Sequence, residues 1–153
     1  MGYNEIMHQA KQEISTADYM NNVTNALMRD KNVLLNIFLH ADNGIMLALS
    51  AYLMHLKGLK KIKMIPAGEE LKRQIFFESY SSALGMSYEE KRTLNELKDI
   101  VSAHKNNQIE FNRGDEYVIV LNNYKTITVT QNSVTKYLSV AKGFISKVEG
   151  MLK

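Results

Sequence analysis

Two short stretches of this chain carry the residue types needed for chemistry on a phosphate. His104, Lys105, Asn106 and Asn107 follow one another, and Asn112-Arg113 comes shortly after. An imidazole can take the proton from a ribose hydroxyl while a guanidinium holds the charge developing on phosphate, the minimum for cleaving RNA without a metal. The same residues also suit a basic helix end joined to a solvated turn, because His and Lys favour the negative end of the helix dipole.

Other chemistries have less to stand on. The remaining histidines are His8, His40 and His55, and no two histidines have the i,i+4 spacing that puts a pair of metal ligands on one helix face. His40 and His55 fall on an apolar helix, where a hydrogen-bonded structural role is the plainer expectation. Cysteine is absent, which removes disulfides, thiolate metal sites and a cysteine nucleophile. The glycines form no Walker or dinucleotide loop, and there is no Gly-x-Ser-x-Gly elbow. Glu69-Glu70, Glu89-Glu90 and Asp115-Glu116 are adjacent carboxylates, but neighbours on a helix diverge by about 100° and do not converge on one substrate. Their expected role is charge at helix N-termini and turn solvation. The nine methionines fit core filling better than an adaptable binding groove. No cofactor or metal is expected.

The elements that must position these residues can be read from periodicity. The 153 residues, 45% hydrophobic and 23% charged, suit a single soluble domain that buries roughly 70% of its unfolded surface. From Asn4 to Asp30, Ile6, Ala10, Ile14, Ala17, Met20, Val23 and Leu27 recur at three- and four-residue steps, predicting a long surface helix. From about Asn32 to Leu56 the apolar arc widens through Val33, Leu34, Ile37, Phe38, Ala41, Ile45, Leu49, Tyr52 and Leu53, predicting the central buried helix. Gly44 within it costs about 1 kcal/mol relative to alanine and points to a close helix crossing. Asn36, His40, Asp42, Asn43 and His55 interrupt the same stretch, so a buried helix is expected rather than a membrane span.

Gly58 and Pro66 bracket Leu59-Lys60-Lys61-Ile62-Lys63-Met64, a connecting segment where positive charge concentrates. A third helix is predicted over Glu69 to Leu84, ended by Gly85. Ser87 with Glu90 forms a capping box that opens a fourth helix to about His104. The period then changes to two: Gln108 to Phe111, the turn Asn112-Arg113-Gly114-Asp115, and Tyr117 to Leu121 predict a hairpin. Asn122-Asn123 turns into a further strand, Tyr124 to Thr130. Helical spacing returns from Val134 to Leu152, capped by Thr130 or Ser133. The predicted fold class is mainly α: one helical-bundle domain over residues 1–153, of about five helices, with a small antiparallel β-hairpin before the C-terminal helix.

The stretch Ala41-Asp42-Asn43-Gly44-Ile45-Met46-Leu47-Ala48-Leu49-Ser50-Ala51-Tyr52-Leu53 and the ending Val134-Thr135-Lys136-Tyr137-Leu138-Ser139-Val140-Ala141-Lys142-Gly143-Phe144-Ile145 resemble the HEPN superfamily at the level of pattern. These are helical domains found in prokaryotic toxins, CRISPR-associated ribonucleases and partners of minimal nucleotidyltransferases. Active members carry an arginine followed, four to six residues later, by histidine. None of Arg29, Arg73, Arg92 or Arg113 has one there, and His104 precedes Arg113 instead. The resemblance therefore implies a noncatalytic module that binds RNA or a nucleotide-handling protein partner, with pairing through its helices into a homodimer. In that reading His104 and Arg113 contact phosphate, assisted by Lys105 and Asn112.

The rival expectation is a winged helix-turn-helix DNA-binding regulator. Helices three and four, the tight turn between them and the hairpin follow one another in the order such domains use. Tyr88, Lys91, Arg92, Asn95 and Lys98 would line the recognition helix, with Arg92 and Asn95 on bases, Lys91 and Lys98 on backbone, and Arg113 on the wing. A structural or regulatory adaptor without nucleic acid is the third expectation, in keeping with a net charge of only +3. With no basic region followed by an apolar run at the N-terminus, the expected location is cytoplasmic, without a membrane.

Overall fold

The computed structural model describes residues 2–24, 31–106, 109–114, 116–121 and 123–153. Five helices and three strands follow in the order α1 (Tyr3–Thr24), α2 (Lys31–Gly58), α3 (Glu69–Ile75), α4 (Tyr88–Lys105), β1 (Glu110–Arg113), β2 (Glu116–Val120), β3 (Thr126–Val129) and α5 (Gln131–Met151). The mainly helical class with a small antiparallel sheet before the last helix is as expected. The expected continuation of α1 to Asp30, with Leu27, lies outside the described residues, as do Asn107, Gln108, Asp115 and Asn122.

Helix α1 buries Met7, Ala10, Ile14, Ala17 and Asn21, a run of alternating three- and four-residue steps. The stripe is thus rotated slightly from the expected one: Val23 is 61% exposed, and Met7 and Asn21 take inward positions. Small Ala10 lies where α2 approaches, and Gly44 is why it can. A Cβ at Gly44 would lie 3.1 Å from the Ala10 carbonyl oxygen, so the two backbones meet there without side chains between them. Tyr3 packs edge-on to His55 and Glu13 bonds to His40, which sets α1 and α2 antiparallel.

Helix α5 lies along the other side of α1. Lys11 meets Glu149 at 2.9 Å, Asp18 meets Lys142 at 2.6 Å, and Gln131 donates to Asn21 at 3.0 Å, so this pair is antiparallel too. Helix α4 instead runs across α5. Its first turn reaches both Lys136, through Glu89, and Lys147, through Glu90, while Glu96 accepts from the Tyr137 hydroxyl.

The predicted third helix is broken. After Ile75 it widens into a π-helical turn over Phe76–Tyr80, narrows to a 3₁₀ turn over Ser82–Leu84, and stops on Gly85 at φ +70°. The Ser81 N–H bonds to the Phe76 carbonyl and the Ser81 hydroxyl caps that of Phe77. This change of pitch lets Phe76 reach Tyr52 and Phe144, Tyr80 reach Tyr52, and Leu84 and Met86 close the core beyond.

Ser87 opens α4 with the expected capping box to Glu90, and Thr130 opens α5 with one to Ser133. The sheet has strand order β1-β2-β3, all antiparallel. Arg113 pairs with Glu116, so Asn112 and Arg113 belong to β1 rather than to the turn expected from their residue types. Tyr117, Ile119 and Val129 face the core. One continuous core joins α1, α2, α4, α5, the sheet and the turns that follow α3. It takes in Phe76, Leu84, Leu94, Leu97 and Ile100 together, so among the described residues α3 and α4 have no separate core of their own.

Candidate functional site

His104 sits in the last turn of α4, where helix spacing carries it to the start of β1. Its Nδ1 is 3.3 Å from Glu110 Oε1, and the other carboxylate oxygen of Glu110 accepts from the Tyr117 hydroxyl at 2.5 Å. Glu110 is only 10% exposed along its side chain, whereas that of His104 is 38% exposed. With Nδ1 turned to this carboxylate, Nε2 is the second polar atom of the ring.

Tyr117 is fully inside, and burial, reinforced by its bond to Glu110, pushes its hydroxyl well above the ordinary tyrosine range. It stays a donor at any physiological pH and holds Glu110 in place. The three groups form a relay with one fixed end in the core and one half-exposed end at the surface. Lys105, next along, is exposed and has no carboxylate partner among the described residues.

Arg113 does not join this group. Successive strand residues point to opposite faces, so Glu110 and Asn112 share one side of β1 while Phe111 and Arg113 share the other. Arg113 donates to Glu116 at 3.3 Å, the residue directly across the hairpin. The fold thus brings His104 to Glu110 and Tyr117, neither of which stands out in the sequence as a site residue. The available sign is an acidic residue in a strand that otherwise alternates with apolar ones.

The α4 face of the winged reading is solvent-facing at Tyr88, Arg92 and Asn95, with Lys91 and Lys98 half-buried. Its charges are mixed. Arg92 donates to Glu89 at 3.3 Å, and Lys98 lies 3.9 Å from Asp99. Asn95 and Lys98 line an open groove of about 290 Å³ with Glu70, Arg73, Gln74, Phe77 and Glu78. The Lys136 ammonium, and Arg92 after it, hold Glu89 below the usual carboxylate range, so this surface keeps a stable negative charge beside its cations.

Two polar pairs of the helical body likewise leave no mark in the sequence. Arg73 Nη2 donates to both oxygens of Asp42, at 2.6 and 2.7 Å, and both residues are buried. His40 Nδ1 lies 2.6 Å from Glu13 Oε2, one turn from Gly44 at the α1–α2 crossing. That fits the structural role expected of His40. Among the described residues no cluster of three or more His, Cys, Asp or Glu could hold a metal.

No protein-family model, curated protein or solved structure matches this chain.

Proposed function

We propose that this chain is a HEPN-like, noncatalytic module that binds single-stranded RNA along the β1 edge and acts as a homodimer. The observation that carries the reading is His104, oriented by a largely buried carboxylate and presented half-exposed beside Lys105 at the start of the edge strand β1. Strand β1 forms one edge of the sheet, the position at which another chain can approach. Phe111 is 44% exposed on its outward face, with Arg113 next to it on that face. An exposed aromatic ring offers a stacking surface worth about 1–3 kcal/mol per base, independent of base identity. His104 and Lys105 on one side and Arg113 on the other would hold phosphates as the strand passes over the edge.

Binding without cleavage follows from the same contacts. Cleavage needs the imidazole and the guanidinium on one phosphate, and here they take opposite faces of β1, each beside its own carboxylate. The packing of the helices around one core is in keeping with the HEPN-like reading. It gives less support to a winged helix-turn-helix, which needs α3 and α4 to form a small unit with an uncluttered basic face.

The test is fluorescence anisotropy with labelled single-stranded RNA and duplex DNA over a salt series. RNA binding whose logarithm falls linearly with log salt, weakened at least tenfold by the pair His104→Ala and Lys105→Ala, is the expected result. Equal binding by wild type and the double variant would remove this site. Duplex binding lost in Arg92→Ala would transfer the function to α4. Light scattering of the free protein decides the dimer.

A further inference from the structure

The strongest concentration of unpaired charge lies elsewhere, where α2 ends. Lys57, Lys60, Lys61 and Lys63 are all exposed, and among the described residues none of their ammonium groups has a carboxylate or hydrogen-bond partner. Elsewhere Lys11, Lys136, Lys142 and Lys147 each reach a carboxylate within 3 Å. Glu69 and Glu70, the nearest acids in sequence, are exposed at the start of α3 and make no bond to these lysines.

The segment is also held in shape. The Lys61 N–H bonds to the Leu56 carbonyl at 2.9 Å and the Lys60 N–H to the Lys57 carbonyl at 3.0 Å, the paired closure of a Schellman motif. That closure puts Lys60 at φ +61°, a left-handed conformation in which glycine would be unstrained. The chain keeps a lysine there. Ile62 and Ile65 turn inward and pack against the core. The outward positions are Lys60, Lys61 and Lys63 with an aliphatic side chain at each end, Leu59 at 53% and Met64 at 78% exposure.

The helix dipole does not account for this pattern. Lys57 lies in the last turn of α2, where the dipole favours a cation, but the effect fades within that turn and Lys60, Lys61 and Lys63 lie past it. A phosphate-binding surface for RNA would be expected to carry arginines for bidentate contact or aromatic rings for stacking, and residues 57–65 have neither. Lysines flanking exposed aliphatic side chains instead match the headgroup boundary of an anionic membrane, where ammonium groups meet lipid phosphates and the aliphatic chains enter the acyl edge.

We infer that the α2–α3 connection, through Lys57, Lys60, Lys61 and Lys63 with Leu59 and Met64 as shallow anchors, docks the protein on the surface of an anionic lipid bilayer. No membrane-spanning segment is needed. Helix α2 is long and apolar enough to cross a bilayer, but most of it is buried inside the protein. The site is independent of the β1 edge, and its failure would leave the RNA reading untouched.

The experiment is co-sedimentation of the full chain with vesicles of phosphatidylcholine alone and of phosphatidylcholine mixed with phosphatidylserine. Binding to the mixed vesicles only, weakening with salt, is expected. Each lysine near such a surface contributes about fivefold, so Lys60→Ser, Lys61→Ser and Lys63→Ser together should lower partitioning roughly a hundredfold. Leu59→Asn with Met64→Asn should lower it at least about tenfold while leaving the salt dependence in place. Circular dichroism and a thermal melt check that both variants fold, which their exposed positions favour. Absence of vesicle binding, equal binding to the neutral vesicles, or insensitivity to either variant would overturn the proposal. So would loss of single-stranded RNA binding in the lysine variant with no change in vesicle binding, which would make the patch an RNA contact.

Discussion

Arg73 on α3 is bound to Asp42 in the middle of α2, with one guanidinium nitrogen donating to both carboxylate oxygens at 2.6 and 2.7 Å and both side chains at most 10% exposed. This pair explains how the apolar central helix tolerates a carboxylate, and it ties the short α3 to the bundle. Removing one partner leaves the other charge buried alone, so Arg73→Met or Asp42→Leu should each cost about 3–5 kcal/mol. The double variant should cost clearly less than either single one, since no charge is stranded. Urea denaturation of the three variants checks this, and additive losses would mean that the two charges do not depend on each other.

Gly44 allows α1 and α2 to touch. Alanine would improve the helix by about 1 kcal/mol in isolation. Here its Cβ would meet the Ala10 carbonyl oxygen at 3.1 Å, and that oxygen is backbone inside a continuous helix, so α1 must shift as a whole. Gly44→Ala should therefore lower stability despite its better propensity, and Gly44→Val should cost about 1–3 kcal/mol by overpacking. A rise in melting temperature for Gly44→Ala would show that the crossing has room to give.

Two buried tyrosines set an alkaline limit. Burial, with the carboxylate of Glu96 or Glu110 accepting a hydrogen bond from the hydroxyl, raises both Tyr137 and Tyr117 well above the ordinary value of 10.0. Unfolded tyrosines release their protons at that ordinary value while the folded ones keep them. The stabilisation is whole below about pH 10 and falls as pH rises, by about 1.4 kcal/mol per pH unit for each tyrosine. Melting curves between about pH 9 and 11 should steepen accordingly. In Tyr117→Phe with Tyr137→Phe that slope should flatten, even though the variant starts less stable at neutral pH.

The N-terminus of α4 carries a compact charge device. Glu90 returns to the Ser87 N–H at 3.1 Å and also takes Lys147 of α5 at 2.8 Å. The Lys147 ammonium, with the Ser87 N–H after it, holds Glu90 below the usual carboxylate range. Its contribution is present above the unfolded carboxylate value and is lost as the pH falls through the lower folded one. Ser87→Ala should cost about 1 kcal/mol at neutral pH. Glu90→Gln should remove part of the acid sensitivity of the melt below about pH 5, and an unchanged acid limb would assign it to other carboxylates.

Much of this architecture is local in origin, which is why residue order alone predicts it. Ala10, Ile14 and Ala17 recur at helical steps, Ser87 and Glu90 stand three apart, Gly85 follows the last core residue of its segment, and Gly114 bends two alternating runs. Each depends on neighbours within about one turn or one strand pair. The break in α3 is not legible in the same way, because Phe76, Tyr80 and Leu84 satisfy an ordinary helical stripe and only the distant Tyr52 and Phe144 require the wider turn.

The candidate site divides along the same line. That His104 ends a helix, and that Lys57 to Met64 joins two helices while carrying an excess of lysine, follow from the sequence itself. That His104 meets Glu110 rather than Arg113 was decided by the hairpin register, since a shift of one residue sends every strand side chain to the opposite face. The burial of Arg73 on Asp42, and the lack of a partner for the loop lysines among the described residues, were likewise tertiary outcomes. Charges find or miss their counterions through the packing of segments that lie far apart in the chain, and no spacing within one segment encodes that distance.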